Sequence, residues 1–181
     1  MKYFRVTIRL PLTLSANGSG ILKWWIDASF AVHPNMRGHT GAGLSIGRGF
    51  PIVTSAKQKI SIRSSTESEL VRVDDLMPAI CWTRYFMEAQ GYGVDNTHAL
   101  QDNRSSILLE KNGKASSSKR TKHINIRYYF VTDWIAMNEL SVHWCPTEDM
   151  IAYFATKPLQ GALFRKFRDQ IMGITPIENK K

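Results

Sequence analysis

Asp27 stands in Lys23–Ala28 (KWWIDA), a run dense enough in aromatic and β-branched residues to read as a strand. Alternation puts Trp24 and Ile26 on one face and Trp25 and Asp27 on the other. A carboxylate buried there unpaired would cost several kcal/mol, so it calls for a cation or a donor. The plainer role is a strand-end Asp accepting turn hydrogen bonds. Glu67 and Glu69 open a helix whose buried face is marked by Leu70, Val73, Leu76, Met77 and Ile80. At about 100° per residue, Glu69 falls on the margin of that face and Glu67 well off it. Thr66-x-x-Glu69 is also a capping box, with Ser64-x-x-Glu67 as its rival. Asp102 follows a short strand and precedes a helix, where an N-cap is the bland role. Glu148 and Asp149 open a last short helix, where acids suit the macrodipole.

Taken together, the first strand, the start of the first long helix and the end of the next strand each carry an acid. In a mixed sheet the first and fourth strands can be neighbours, which brings Asp27 to Asp102. An acid cluster in a basic chain needs neutralising, and divalent metal is the usual partner. Two hard cations about 3.5–4 Å apart activate water and stabilise a leaving oxygen at phosphorus. The chemistry this pattern suggests is phosphodiester hydrolysis.

The elements that must position these acids come from one domain's worth of chain, 181 residues with 43% hydrophobic content and mean hydropathy −0.25. Lys and Arg number 24 against 15 Asp and Glu, a net charge of +9 that favours a polyanionic partner such as nucleic acid or an anionic membrane. No run approaches the ~18 apolar residues of a membrane span. Cys81 and Cys145 form no CxxC, which excludes a disulfide scaffold and a multi-cysteine zinc site and makes an intracellular setting, cytoplasmic or nuclear, the default. Met1, Lys2 and Arg5 imitate a signal-peptide start, but alternation from Phe4 to Leu14, broken by Arg9, reads as extended chain. The five histidines show no HxH or HExxH spacing, Gly41-x-Gly43-x-x-x-Gly47 misses the dinucleotide fingerprint, and neither a P-loop nor a nucleophile elbow is present. Between Arg104 and Arg127, basic residues outnumber the single acid Glu110; Arg104, Lys119, Arg120, Lys122, His123 and Arg127 are candidates for phosphate contacts, against the plainer reading of a solvated loop.

The expected strands are Lys23–Ala28, Ala42–Arg48, Ile52–Ile62, Thr97–Gln101 and Leu140–Cys145. The expected helices are Thr66–Ala89, with Pro78 inside it, then Asn103–Lys111, Ile124–Ala136 and Glu148–Thr156; Gly113–Lys122 reads as a loop. The order βββ-α-β-α-(α)-β-α describes a mixed sheet with helices on its faces. Residues 1–22 read as a lead-in, 23–173 as the domain and 174–181 as a frayed tail.

The segments Trp25–Ser29 (WIDAS), Lys57–Lys59 (KQK), Ser64–Leu70 (SSTESEL), Gln101–Asn103 (QDN), Ser118–Arg127 (SKRTKHINIR), Cys145–Asp149 (CPTED) and Thr156–Gly161 (TKPLQG) occur in an order that resembles the ribonuclease H domain of the Pol polyprotein of copia-type retrotransposons. The resemblance spans roughly Lys23 to Gly173. It implies an α/β ribonuclease-H-like fold, a five-stranded mixed sheet of order 3-2-1-4-5 with strand 2 antiparallel and helices on both faces. It further implies cleavage of the RNA strand of an RNA–DNA hybrid with Mg²⁺, or Mn²⁺ in its place, and a reverse transcriptase portion of the same polyprotein as partner, the lead-in being its connector. The family's first three acids map to Asp27, Glu69 and Asp102 as catalytic and metal-binding residues.

The fourth acid is missing, because Tyr153 stands in its place, and a phenol of pKa ~10 is a poor Mg²⁺ ligand. Asp149, four residues earlier, is a candidate surrogate if both share one helix, though one turn is ~5.4 Å. Arg72 and Arg104 stand where the family has a small residue and Gln, and such cations would compete with metal. An impaired ribonuclease H is the reading that follows. The alternatives are an inactive hybrid-binding remnant and an integrase-like nuclease acting on DNA, the latter opposed by the TKHINIR and TKPLQG motifs.

Overall fold

The structure, a computed structural model, describes residues 5, 7–59, 65–112 and 130–177, and for 65–70, 109 and 112 the backbone alone. The strands are β1 (Ser15–Ala16), β2 (Ile21–Ser29), β3 (His39–Ser45), β4 (Gly47–Arg48), β5 (Ile52–Lys57), β6 (Asn96–Gln101) and β7 (Leu140–Trp144). The helices are α1 (Ser65–Ala89), α2 (Arg104–Asn112), α3 (helical over 130–136), α4 (Tyr153–Thr156) and α5 (Gly161–Ile171), with a 3₁₀ turn at Thr147–Asp149.

The main sheet has the order β5-β3-β2-β6-β7. Strand β3 runs antiparallel to β2 and β5, while β6 is parallel to β2 and β7 parallel to β6. Parallel neighbours need long crossovers, which α1 and then α2 with α3 supply. This is the expected 3-2-1-4-5 mixed sheet with its second strand antiparallel. A central strand loses both faces to the core, which explains the apolar run in β2. Trp24 and Ile26 pack with Val73, Leu76, Met77 and Ile80 of α1, as the helical spacing predicts. Trp25 packs on the opposite face with Phe50, Ile151 and Phe167. Each such side chain stabilises the fold by about 1.5–3 kcal/mol on burial.

Several boundaries differ from expectation. The strand expected over Ala42–Arg48 breaks at Ile46, and its end, β4, pairs with β1 in a separate two-stranded sheet. The strand expected to reach Ile62 stops at Lys57. In the lead-in, Arg5 and Thr7 are helical rather than extended. The helix expected over Glu148–Thr156 divides, because Met150 takes ψ 81°, outside the helical region; Met150 and Ile151 are buried there. Helix α5 was not expected at all; Phe167 anchors it in the core, and the Ile171 carbonyl accepts from the Phe50 amide at 2.9 Å. The N-cap of α2 is Asn103, whose Oδ1 accepts from the Ser106 amide at 3.1 Å, and not Asp102.

Strand β3 leaves room for α4. A Cβ on Gly41 would lie 2.5 Å from Thr156 Cγ2 and 3.0 Å from the Ala152 carbonyl oxygen, and one on Gly43 would overlap the Phe50 ring. The missing side chain at Gly41 lets α4 lie directly on the sheet, and that at Gly43 makes room for Phe50. Its last turn is pinned by Ser29 Oγ donating to the Thr156 carbonyl at 3.3 Å and Ser55 Oγ to that of Ala155 at 2.8 Å. Among the described residues no helix is long and apolar enough to cross a membrane.

Candidate active site

Parallel pairing of β2 with β6 sets Trp25 opposite Leu100, so Asp27 and Asp102 stand two residues further on at one end of the sheet. Asp102 is freed for this place because Asn103 takes the capping role. Asp27 is 2% exposed. The Thr156 hydroxyl donates to its Oδ2; Arg72 Nη1 lies 3.8 Å from Oδ1 and Lys157 Nζ 3.9 Å from Oδ2. Burial pushes the Asp27 carboxyl above its ordinary range, with Asp102 adding to the rise; Thr156, Lys157 and Arg72 oppose it. Two ion pairs at such long separations offset desolvation only in part.

Tyr153, at the expected fourth-acid position, does reach the centre. Its hydroxyl donates to Asp102 Oδ2, and Lys157 Nζ sits 3.0 Å from the centre of its ring. Burial, then the hydrogen bond to Asp102, holds this phenol well above its usual range, so it stays a neutral donor.

Behind Asp27 runs a buried polar chain. Arg72 is 0% exposed, and its Nη2 donates to Gln101 Oε1 at 2.8 Å. Gln101 Nε2 donates to Glu110 Oε2 at 2.8 Å, and Ser106 Oγ to Glu110 Oε1 at 3.1 Å. Burial raises the Glu110 carboxyl to about 7, against the pull of Arg72, Gln101, Ser106 and Lys111.

The other expected site residues divide. Glu69 lies in α1, three residues before Arg72, but its side chain is outside the described residues, as are Lys119, Arg120, Lys122, His123 and Arg127. Arg104 lies over the Trp144 ring at 4.5 Å. Asp149 belongs to the 3₁₀ turn and not to the helix that carries Tyr153, so the one-turn relation expected of a surrogate does not hold; its Oδ1 accepts from Lys166 Nζ at 2.8 Å. The sequence reading did not single out Thr156, Lys157, Gln101 or Glu110 as site residues. Thr156 and Lys157 open the TKPLQG segment, the one signal that pointed toward them.

Among the described residues no group of three His, Cys, Asp or Glu is placed to hold a metal ion. Asp27 shares its oxygens with Arg72, Lys157 and Thr156, and Asp102 accepts from Tyr153. The donors among the described residues alone do not fit a pair of divalent ions.

No protein-family model matches the chain. Aligned proteins include the retrovirus-related Pol polyprotein from transposon TNT 1-94 of Nicotiana tabacum, 28% identical over 138 residues, which is 76% of this chain and 10% of that protein. Another is the corresponding polyprotein from transposon RE1 of Arabidopsis thaliana, 31% identical over 125 residues, 68% of this chain. The chain thus spans only 8–10% of the length of these curated relatives. Among solved structures, RNase H1 from Halobacterium salinarum NRC-1 superposes with a TM-score of 0.53 at 13% identity, covering 75% of this chain and 93% of that one. LC11-RNase H1, isolated from compost, gives 0.54 at 11% identity over 75% and 92%. These two likenesses concern the fold.

Proposed function

Because the chain is a ribonuclease-H-fold domain of the kind carried by retrovirus-related Pol polyproteins of copia-type transposons, we propose that it engages RNA–DNA hybrids and that its cleavage of the RNA strand is strongly impaired. The observation that carries this reading is the Tyr153 hydroxyl on Asp102, at the place of the fourth acid. A carboxylate there would add a ligand and a negative charge; the phenol adds neither, and it occupies an oxygen of a neighbouring one. Hybrid binding draws support from the net charge of +9, since phosphate contacts are electrostatic and independent of base sequence. LC11-RNase H1, which has a TM-score of 0.51 to this chain in that complex, has been crystallised with an RNA/DNA hybrid.

On this reading Lys157, 41% exposed beside Asp27, and Arg104 over Trp144 offer phosphate contacts, with Lys119, Arg120, Lys122, His123 and Arg127 as further ones. Mg²⁺ or Mn²⁺ would find Asp27, Glu69 and Asp102 as ligands once the Tyr153 hydroxyl released Asp102, with Arg72 a competing charge beside Asp27. The reverse transcriptase portion of the same polyprotein is the expected covalent partner.

The test is a labelled RNA–DNA hybrid incubated with Mg²⁺ or Mn²⁺ and either the wild type or Tyr153→Asp. The wild type is expected to leave the RNA strand nearly intact. Tyr153→Asp is expected to cleave at least about tenfold faster, since it supplies a fourth carboxylate and releases Asp102. Equal cleavage activity in the two proteins would show that Asp149 or another group already serves as the fourth acid, and binding without cleavage in either would support an inactive hybrid-binding remnant. Cleavage of plain duplex DNA by either would favour an integrase-like nuclease instead.

A further inference from the structure

Arginine keeps its charge at any ordinary pH, and a buried guanidinium is tolerated only when its partners are well placed. Arg72 is the centre of such an arrangement. It rises from α1 between two carboxylates on different elements. On one side Gln101 of β6 links it to Glu110 of α2, and on the other lies Asp27 of β2. All four residues are at most 2% exposed. The amide of Gln101 spends its acceptor on Arg72 and a donor on Glu110, while Ser106 fixes the far oxygen of Glu110. The guanidinium therefore cannot swing into solvent in the way a surface Lys can.

We infer that Arg72 is a resident counter-ion for Asp27, clamped by Gln101 and Glu110, which neutralises the acid centre from inside so that no divalent ion is needed to hold its charge. The inference rests on Asp27 belonging to the acid centre described above. A divalent ion approaching Asp27 would compete for Oδ1 with a fixed positive charge 3.8 Å away, and Lys157 stands a further 3.9 Å from Oδ2. Both contacts oppose the ion by like-charge repulsion.

Isothermal calorimetry with MnCl₂, without nucleic acid, reads this directly. The wild type is expected to show no saturable binding below about 1 mM, the weak end of the range for protein oxygen sites. Arg72→Met keeps the side chain's length and removes its charge; its Mn²⁺ affinity is expected to rise at least about tenfold. Arg72→Lys keeps the charge and is expected to bind as weakly as the wild type. If Arg72→Met does not fold by circular dichroism, the double variant Arg72→Met/Glu110→Gln removes the opposing carboxylate as well and is held to the same gain. Saturable wild-type binding below 1 mM, or a folded charge-free variant no better than Arg72→Lys, overturns the inference. Fluorescence anisotropy with a labelled hybrid keeps the two readings apart. A wild type that binds hybrid and also binds Mn²⁺ well refutes the counter-ion role alone, whereas one that binds no hybrid refutes the functional reading.

Discussion

Arg72→Ala is expected to cost the fold about 3–5 kcal/mol at pH 7, the range for stranding a buried charge by removing its partner. Arg72 is 0% exposed, and both carboxylates it faces are buried, Asp27 at 2% and Glu110 at 0%. Truncation removes the buried cation between these acids, leaving Asp27 only the partly exposed Lys157 at 3.9 Å, and opens a cavity beside α1 that the packed core fills only in part. Urea unfolding at constant protein concentration measures the loss. Asp27→Asn combined with Arg72→Ala is expected to recover part of it, because the amide needs no counter-charge. A loss below about 1 kcal/mol, the size typical of an exposed pair, would mean that Arg72 is not the buried partner these distances describe.

The share of stability carried by Glu110 is expected to fall as pH rises from about 4.5 to about 7, contrary to the common behaviour of salt-bridged carboxylates and opposite to the share of the His39, His98 and His143 imidazoles, which desolvation holds below their usual range. Burial lifts the Glu110 carboxyl from 4.5 to about 7 in the folded chain. Between those values the folded state holds a proton that the unfolded chain has released, so each step up in pH favours unfolding. The stabilising contribution is complete below 4.5 and gone above 7, and the full shift corresponds to about 3 kcal/mol. The Asp27 carboxyl, also raised, tilts stability the same way. Glu110→Gln is expected to remove the Glu110 share of the slope and leave that of Asp27. Urea midpoints of the wild type and Glu110→Gln across pH 4.5–8 check it; a difference between the two that stays constant through this window would show that Glu110 is ionised at no cost.

The framework that holds the centre was legible before any coordinates. The KWWIDA run announces a strand because it is dense in aromatic and β-branched residues; its central place, with both faces covered, is shown by the fold. The spacing of Val73, Leu76, Met77 and Ile80 names the face of α1 that packs on that strand. The strand order came with the family resemblance, since periodicity alone does not say which strands pair. Asp27 reads as an acid in want of a cation or a donor, and Arg72 as a cation out of place, but only the fold shows them 3.8 Å apart.

Other features were hidden for physical reasons. Glu110 sits in a basic, polar stretch and looks solvated in a linear reading; its burial follows from Ser106, Ile107 and Glu110 sharing the covered side of α2. Asp102 and Asn103 are both good capping residues, and a boundary one residue later than expected leaves the Asp102 carboxylate free for the site. The spacing of Tyr153 and Asp149 suited one helix until Met150 and Ile151 turned inward and broke it. Thr156 and Lys157 reach Asp27 because Gly41 has no side chain to hold α4 away, a coupling across more than a hundred residues that no local pattern carries.

A hybrid-binding fold with a self-neutralised acid centre is recognised by one titration of wild-type protein into a fluorescent RNA–DNA hybrid. It is run once with Mg²⁺ and once with EDTA, each sample then being resolved on a denaturing gel. The expected result is saturable binding with the same midpoint in both conditions, weakening as salt is raised, and an intact RNA strand throughout. Mg²⁺-dependent cleavage of that strand, or a midpoint that collapses in EDTA, would contradict it.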